Sequence, residues 1–98
     1  MANFQSASID RLFESVLALD SVEECYRFFE DVCTINEVQD MAQRFEAALL
    51  LEQGLNYQQI AQQVGISTAT ISRVSRCLNY GSGGYREAIN KGKAGDNQ

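Results

Sequence analysis

Proline, histidine and tryptophan do not occur in this 98-residue chain, and no glycine precedes Gly54. Because proline and glycine are the usual breakers of helices and the usual residues of tight turns, their scarcity favours helices. Hydrophobic residues still make up 45% of the sequence, which is too large a share for a disordered chain. The sequence therefore predicts an all-α fold with a packed core.

The lack of histidine and the low cysteine content argue against a zinc site. Three cysteines, Cys25, Cys33 and Cys77, form no CxxC pair, and no histidine is available to complete a zinc site. Cys25 and Cys33 are eight residues apart, the spacing of one helical face, so we expect buried free thiols. Without a nucleophile beside a base or a glycine-rich phosphate loop, we expect no metal, no cofactor and no enzymatic activity.

Long apolar runs are also missing. No stretch approaches the roughly 20 apolar residues of a membrane span. The N-terminus lacks the basic and then apolar layout of a signal peptide. We therefore expect a cytoplasmic protein that does not associate with membranes.

The chain carries a net charge of −5, but this charge is unevenly distributed. Residues 1–65 carry three basic and eleven acidic side chains, a net charge of −8, whereas residues 66–98 carry five basic and two acidic side chains, a net charge of +3. Basic side chains supply most of the nonspecific affinity for nucleic acid. A contact with nucleic acid is therefore expected in the C-terminal third.

Apolar residues at helical spacing predict three helices before Gly54. The first is expected from about residue 8 to 19, after a cap at Ser6 or Ser8. Capping-box patterns at residues 21–24 (SVEE) and 34–37 (TINE) start the second and third helices. Because these two helices are apolar on more than one side, we expect a homodimer. Its core is expected to include Phe28, Phe29, Phe45 and Leu49.

The C-terminal segment is predicted to be loosely structured. Residues 80–84 are rich in glycine and should form a flexible link, followed by a short helix over residues 85–91. Residues 92–98 are polar and are expected to form a disordered tail. We therefore expect a single all-helical domain over residues 1–91.

A helix-turn-helix is predicted over residues 57–78. Asn56 should cap its first helix and Ser67 its second. Counted from the start of the motif, the fifth residue is Ala61, where two crossing helices leave room for only a small side chain. The ninth is Gly65, where the turn requires a positive φ. Five further positions of the motif should face the core, and they are occupied by Ile60, Val64, Ile66, Ile71 and Val74. Two ordinary amphipathic helices joined by a glycine would match only some of these seven positions.

The outward residues of the second helix suit contact with DNA. Serine and threonine hydroxyls hydrogen-bond to bases or phosphates, small methyl groups contact thymine, and arginine binds guanine or phosphate. No acidic residue lies between Gly54 and Arg86, which favours DNA over an ordinary solvated face. The candidate DNA-binding residues are Gln58, Ser67, Thr68, Ala69, Thr70, Ser72, Arg73 and Arg76.

Residues 65–73, GISTATISR, resemble the recognition-helix segment of the bacterial Trp repressor and of small Trp repressor-like proteins. Residues 34–54 resemble the long helix that precedes it. The resemblance implies an intertwined helical dimer with two recognition helices set for successive major grooves of double-stranded DNA. It also implies a transcription regulator, most simply a repressor, with a ligand pocket beside each recognition helix.

The resemblance further indicates candidate ligand-binding residues. Arg44 and Arg73 match two arginines that flank the bound amino acid of the repressor, and Thr34 matches a polar residue nearby. Val74 replaces a glycine against which the indole ring lies, and Cys77 replaces a serine close to the ligand. We therefore expect that an effector, if the protein takes one, is a small carboxylate other than tryptophan.

Alternatives remain for several of these residues. Arg44 would also suit an ion pair with Asp40, and Arg73 a phosphate contact. Gln58 and Ala61 replace basic residues of the repressor, which should weaken attraction to phosphates and alter the operator. The acidic first two-thirds of the chain keep a second function open, that of a helical dimer for protein interaction without DNA binding.

Overall fold

The structure of the chain is a computed structural model that describes residues 4–96, with side chains described as far as Lys93. These residues form six α-helices, and no strand occurs among them, which confirms the all-α prediction. The described chain divides into two compact units, one ending at Val38 and the other beginning at Gln39. The helices are α1 (Ala7–Leu17), α2 (Val22–Val32), α3 (Ile35–Glu52), α4 (Tyr57–Val64), α5 (Thr68–Tyr80) and α6 (Gly84–Asp96).

Side-chain caps start the helices of the first unit. Ser6, rather than Ser8, caps α1 by accepting the N–H of Ile9 at 3.2 Å, and Ser21 caps α2 by accepting the N–H of Glu24 at 3.1 Å. Helix α1 ends two residues before the predicted limit of residue 19. Neither α1 nor α2 has a buried residue, so their predicted apolar faces are half-buried or exposed.

The cysteines are more accessible than the sequence spacing suggests. Cys25 and Cys33 are half-buried, Cys77 is exposed, and all three are free thiols. Cys33 lies outside α2, since its backbone is extended, with φ −117° and ψ 160°, and ends the helix. The expectation of two buried thiols on one helical face is therefore wrong.

The core of the second unit joins α3 to the helix-turn-helix. Ile60, Ile71 and Val74 are at most 2% exposed and contact Ala47 and Ala48 of α3 in one cluster. Ala61, Val64 and Ile66 are half-buried against the same cluster. The predicted inward positions of the helix-turn-helix are thereby confirmed.

The C-terminal part is more regular than expected. Helix α5 continues to Tyr80, and only Gly81, Ser82 and Gly83 separate it from α6. Helix α6 extends past Lys91 to Asp96, through most of the segment expected to be disordered, while residues 97–98 lie outside the described residues. No proline interrupts α6, and Lys93 in its last turn interacts favourably with the helix dipole. No helix of the described residues has the length and hydropathy needed to cross a membrane.

Candidate nucleic-acid interface

The turn between α4 and α5 depends on the backbone of Gly65. This residue has φ +82° and ψ 32°, the left-handed conformation predicted for it, and its N–H donates to the carbonyl of Ala61 at 2.9 Å. The bond closes the C-terminus of α4 and redirects the chain into α5. Ile60 on α4 and Ile71 on α5 then meet in the core. The crossing of the two helices is set by the turn and the core together.

The N-terminus of α4 is closed by a reciprocal capping box. The side chain of Asn56 accepts the N–H of Gln59 at 2.8 Å, and the side chain of Gln59 accepts the N–H of Asn56 at 2.9 Å. The side chain of Gln59 is therefore engaged in the cap. Gln58, the candidate DNA-binding residue of this helix, is exposed beside it.

Two of the candidate hydroxyls at the start of α5 are engaged with each other. Ser67 Oγ accepts the N–H of Thr70 at 3.1 Å and also lies 3.0 Å from Thr70 Oγ1, in a second hydrogen bond. Thr70 is half-buried, unlike the other candidates of this helix. Ser67 and Thr70 therefore form the N-terminal cap of α5, a structural role that the sequence indicated for Ser67 alone.

The remaining candidates of α5 form an exposed polar surface. Arg73 and Arg76 are three residues apart and so lie close together along the helix. No acidic residue occurs between Gly54 and Arg86, so the charged side chains of α5 are these two arginines. We call this surface the recognition face; its residues are Thr68, Ala69, Ser72, Arg73 and Arg76.

The five candidate ligand-binding residues differ in accessibility. Arg44 on α3 and Arg73 on α5 are exposed in the second unit, and Cys77 is exposed on α5. Arg44 makes no ion pair with Asp40 in the described part of the chain. Val74 is 2% exposed, so its side chain belongs to the core rather than to an open surface.

Thr34 lies in the first unit and caps α3. Its N–H donates to the carboxylate of Glu37 at 2.8 Å, and its hydroxyl accepts the N–H of Glu37 at 3.1 Å. The bond from the Thr34 backbone, followed by the contact with its side chain, lowers the pKa of Glu37 below its ordinary value. The hydroxyl of Thr34 is thus a cap acceptor, as the capping-box pattern predicts.

A surface cavity of about 380 Å³ between α3 and α4 was not predicted from the sequence. Ala42, Leu50 and Val64 supply its apolar surface, while Gln43, Glu46 and Gln63 supply its polar groups. None of the five candidate ligand-binding residues lines it. The i, i+3 spacing of Gln43 and Glu46 places them on one side of α3, but the sequence does not tell which helix that side faces. Within the described residues, no three potential metal ligands converge.

Comparison with known proteins identifies the family. Over 85 residues the chain is 55% identical to an uncharacterized protein, YerC, of Bacillus subtilis (strain 168), with 87% of this chain and 82% of YerC covered. A solved TrpR-like protein from Eubacterium eligens ATCC 27750 is 47% identical, with a TM-score of 0.86, 89% of this chain covered and 90% of that chain.

A second solved structure, of a protein from Staphylococcus aureus, is 44% identical, with a TM-score of 0.87 and coverage of 91% of this chain and 89% of that chain. The family described as Trp repressor protein matches residues 7–93, nearly the full length of the described chain. The helix-turn-helix and the long α3 both lie within the matched range. The chain therefore belongs to the Trp repressor family.

Proposed function

We propose that the protein is a sequence-specific DNA-binding transcription regulator, acting as a repressor, that works as a homodimer in the cytoplasm. The observation that carries this proposal is the recognition face, an exposed polar surface on the second helix of a helix-turn-helix with no acidic residue between Gly54 and Arg86. The function is one of binding and has no catalytic step.

In this proposal α5 enters the major groove with its N-terminal residues against the base edges. Thr68 and Ser72 supply hydroxyl groups, Ala69 supplies a methyl group for thymine, and Arg76 contacts phosphate. Ser67 and Thr70 hold the first turn of α5 through their mutual hydrogen bond and affect base preference indirectly. A dimer would place two such helices about one helical turn apart, roughly 34 Å.

We propose further that a small carboxylate-bearing ligand, other than tryptophan, tunes the affinity for DNA. Arg44 and Arg73 are both exposed, so each guanidinium is accessible to a carboxylate. Val74 occupies the core at the position where the resembled repressor has a glycine, which supports the exclusion of an indole ring.

Selection of bound duplexes from a random pool at low salt tests the DNA-binding proposal. We expect an enriched two-fold symmetric motif whose binding weakens steeply as salt is raised. Arg76→Ala should weaken binding to all sequences alike and reduce the slope of log affinity against log salt by about 2, because each protomer of the dimer loses one phosphate contact. Ser72→Ala should instead change the preference at one base step.

Arg27→Ala is the matched control, since Arg27 is an exposed arginine on α2, outside the helix-turn-helix. Its binding should equal that of the unmodified protein. If no motif is enriched even at low salt, the proposal is wrong. The same protein would then serve as a module for protein interaction.

A further inference from the structure

Arg86, on the first turns of α6, connects three segments of the second unit. Its Nε donates to the carbonyl oxygen of Leu78 at 3.1 Å, and its Nη2 donates to Oδ1 of Asn79 at 3.0 Å. Its Nη1 forms a hydrogen-bonded ion pair with the carboxylate of Glu52 at the end of α3. No other ion pair occurs among the described side chains. One guanidinium thus joins the C-termini of α3 and α5.

The hydrogen bond from Arg86 to Leu78 satisfies a carbonyl group at the C-terminus of α5 that has no partner within the helix. The last carbonyl groups of a helix have no partner within the helix, and a positive charge near them also interacts favourably with the helix dipole. Arg86 supplies both a donor and a charge at Leu78. Asn79 extends the network, because its Nδ2 donates to the carbonyl of Ser75 at 2.9 Å. The network therefore holds the final turns of α5.

Helix α6, which carries Arg86, is itself packed against the core of the second unit. Ile89 is buried in the core, and the ring of Tyr85 stacks on Phe45 of α3 with the ring centroids 6.4 Å apart. Arg86 and Glu52 remain 44% and 28% exposed, so the pair is partly screened by solvent. Three bonds from one planar group nevertheless define a single geometry, which a lysine cannot reproduce.

We infer that Arg86 is a positioning residue for DNA recognition, holding the C-terminal half of α5 at a fixed orientation to α3 through Glu52 and the end of α5. The inference rests on the proposed function. Arg76 lies within the final turns of α5 that this network holds, and Arg73 lies one turn earlier in the same helix. A loosened α5 would present both arginines in many orientations, and the lost entropy of ordering them would weaken binding.

The sign of the effect of Glu52→Gln distinguishes positioning from general electrostatics. Removing a negative charge from a DNA-binding protein should tighten binding if only charge matters. If Glu52 helps to position α5 through Arg86, the same change should weaken binding about three- to fivefold at constant salt. Glu87→Gln is the matched control, because Glu87 is an exposed acid next to Arg86 with no ion pair among the described side chains. Its affinity should be unchanged or slightly higher.

Variants of Arg86 complete the test on the duplex enriched from the random pool. We expect Arg86→Gln to weaken binding about tenfold with the salt slope unchanged, and Arg86→Lys to recover part of the loss. A slope reduced by about 2, one for each protomer of the dimer, would mean that Arg86 contacts phosphate directly and would overturn the inference. Equal or tighter binding of Glu52→Gln would also overturn it.

Amide hydrogen exchange without DNA separates this inference from the proposed function. Exchange at residues 77–81 should be faster in Glu52→Gln and Arg86→Gln than in Glu87→Gln, while exchange in α4 is unchanged. Unchanged exchange at residues 77–81 would refute the positioning role even if DNA binds. If the unmodified protein binds no duplex, the DNA-binding proposal and the role of Arg86 in it both fail, whatever the exchange shows.

Discussion

Two glycines flank α5, and a side chain at each position is unfavourable for a different physical reason. Gly65 requires a left-handed backbone, but a Cβ there would meet no atom within 4 Å. Gly81 has no such backbone requirement, yet a Cβ there would collide with the carbonyl of Cys77, whose oxygen accepts the Gly81 N–H at 2.9 Å. The first cost is conformational and the second is steric.

We predict that Gly65→Ala lowers the free energy of unfolding by about 1 kcal/mol, the usual cost of a left-handed L-residue. Gly81→Ala should cost about 2 kcal/mol, because the end of α5 must move to relieve the collision. Urea unfolding measures both. Gly84→Ala is the control, since Gly84 begins α6 with open space around it, and it should stabilise by about 0.5 kcal/mol. Equal losses of unfolding free energy in Gly65→Ala and Gly81→Ala would contradict the larger steric cost predicted at Gly81.

Val74 is the residue on which our prediction about tryptophan rests. Its side chain is packed in the core with Ile60 and Ile71, so a flat ring cannot lie where its methyl groups are unless the core shifts. Such overpacking typically costs about 1–3 kcal/mol, which weakens a ligand roughly ten- to a hundredfold. We predict no micromolar binding of tryptophan to the unmodified protein in calorimetric titration.

Val74→Gly should open the space that an indole ring would need, but it also removes core contacts and weakens α5. We expect it to lower the free energy of unfolding by about 3 kcal/mol, from the cavity and from the low helix propensity of glycine. Val74→Ala, with a smaller loss of about 2 kcal/mol, serves as the second variant. Micromolar binding of tryptophan by the unmodified chain would show that position 74 does not exclude the indole.

At the scale of single helices, the cap at the start of α3 contains a carboxyl group, that of Glu37, whose pKa is shifted by the cap itself. The pKa of Glu37 is lowered because its ionised carboxylate accepts the N–H of Thr34. A carboxylate with a lowered pKa contributes stability that is present above its pKa in the unfolded chain. This contribution disappears as the pH falls through the lower pKa of the folded state.

We predict that Thr34→Ala raises the pKa of Glu37 part of the way towards its ordinary value. The backbone N–H of residue 34 remains in this variant, but the hydroxyl that fixes the capping geometry is lost. Titration of the Glu37 carboxyl by NMR measures the change. Thr68→Ala, the same substitution on α5, should leave the pKa of Glu37 where it is. An unaltered pKa of Glu37 in Thr34→Ala would show that the Thr34 hydroxyl does not contribute to the shift.

At the scale of the whole molecule, the exposed apolar side chains of the first unit call for a covering surface. Leu17 on α1 and Tyr26 on α2 are large hydrophobic side chains, yet they are 84% and 72% exposed. Monomeric proteins rarely expose large apolar patches. A second copy of the chain is the partner that membership of the Trp repressor family and the homodimer prediction both favour.

We predict a homodimer that sediments at twice the chain mass of 10.9 kDa. Leu17→Asp should shift the protein towards monomer at micromolar concentration, because a charge would be buried without a partner. Ser15→Asp introduces the same charge at an exposed polar position of α1 and should leave the dimer intact. A stable, folded monomer of the unmodified chain would reject the dimer and the two-groove geometry with it.

The sequence by itself determined the features that depend on neighbours within about four residues. Ser21, Thr34 and Asn56 cap their helices with residues three positions later, and Gly65 makes its turn through a bond to Ala61. Apolar periodicity likewise identified the inward side of the helix-turn-helix, because the helical repeat places those residues on one face. Local hydrogen bonds and a fixed repeat can be read directly from residue order.

Only the tertiary structure decided contacts between residues that are distant in the chain. Arg86 and Glu52 are 34 positions apart, and nothing in their local sequence indicates that they pair. The cavity between Glu46 and Gln63 also depends on how two helices pack. The position of α6 has the same origin, since Ile89 and Tyr85 anchor this helix against residues of α3 and α5. Such contacts form only after the helices have packed, and their partners are therefore set by the packing geometry rather than by the pattern of either segment.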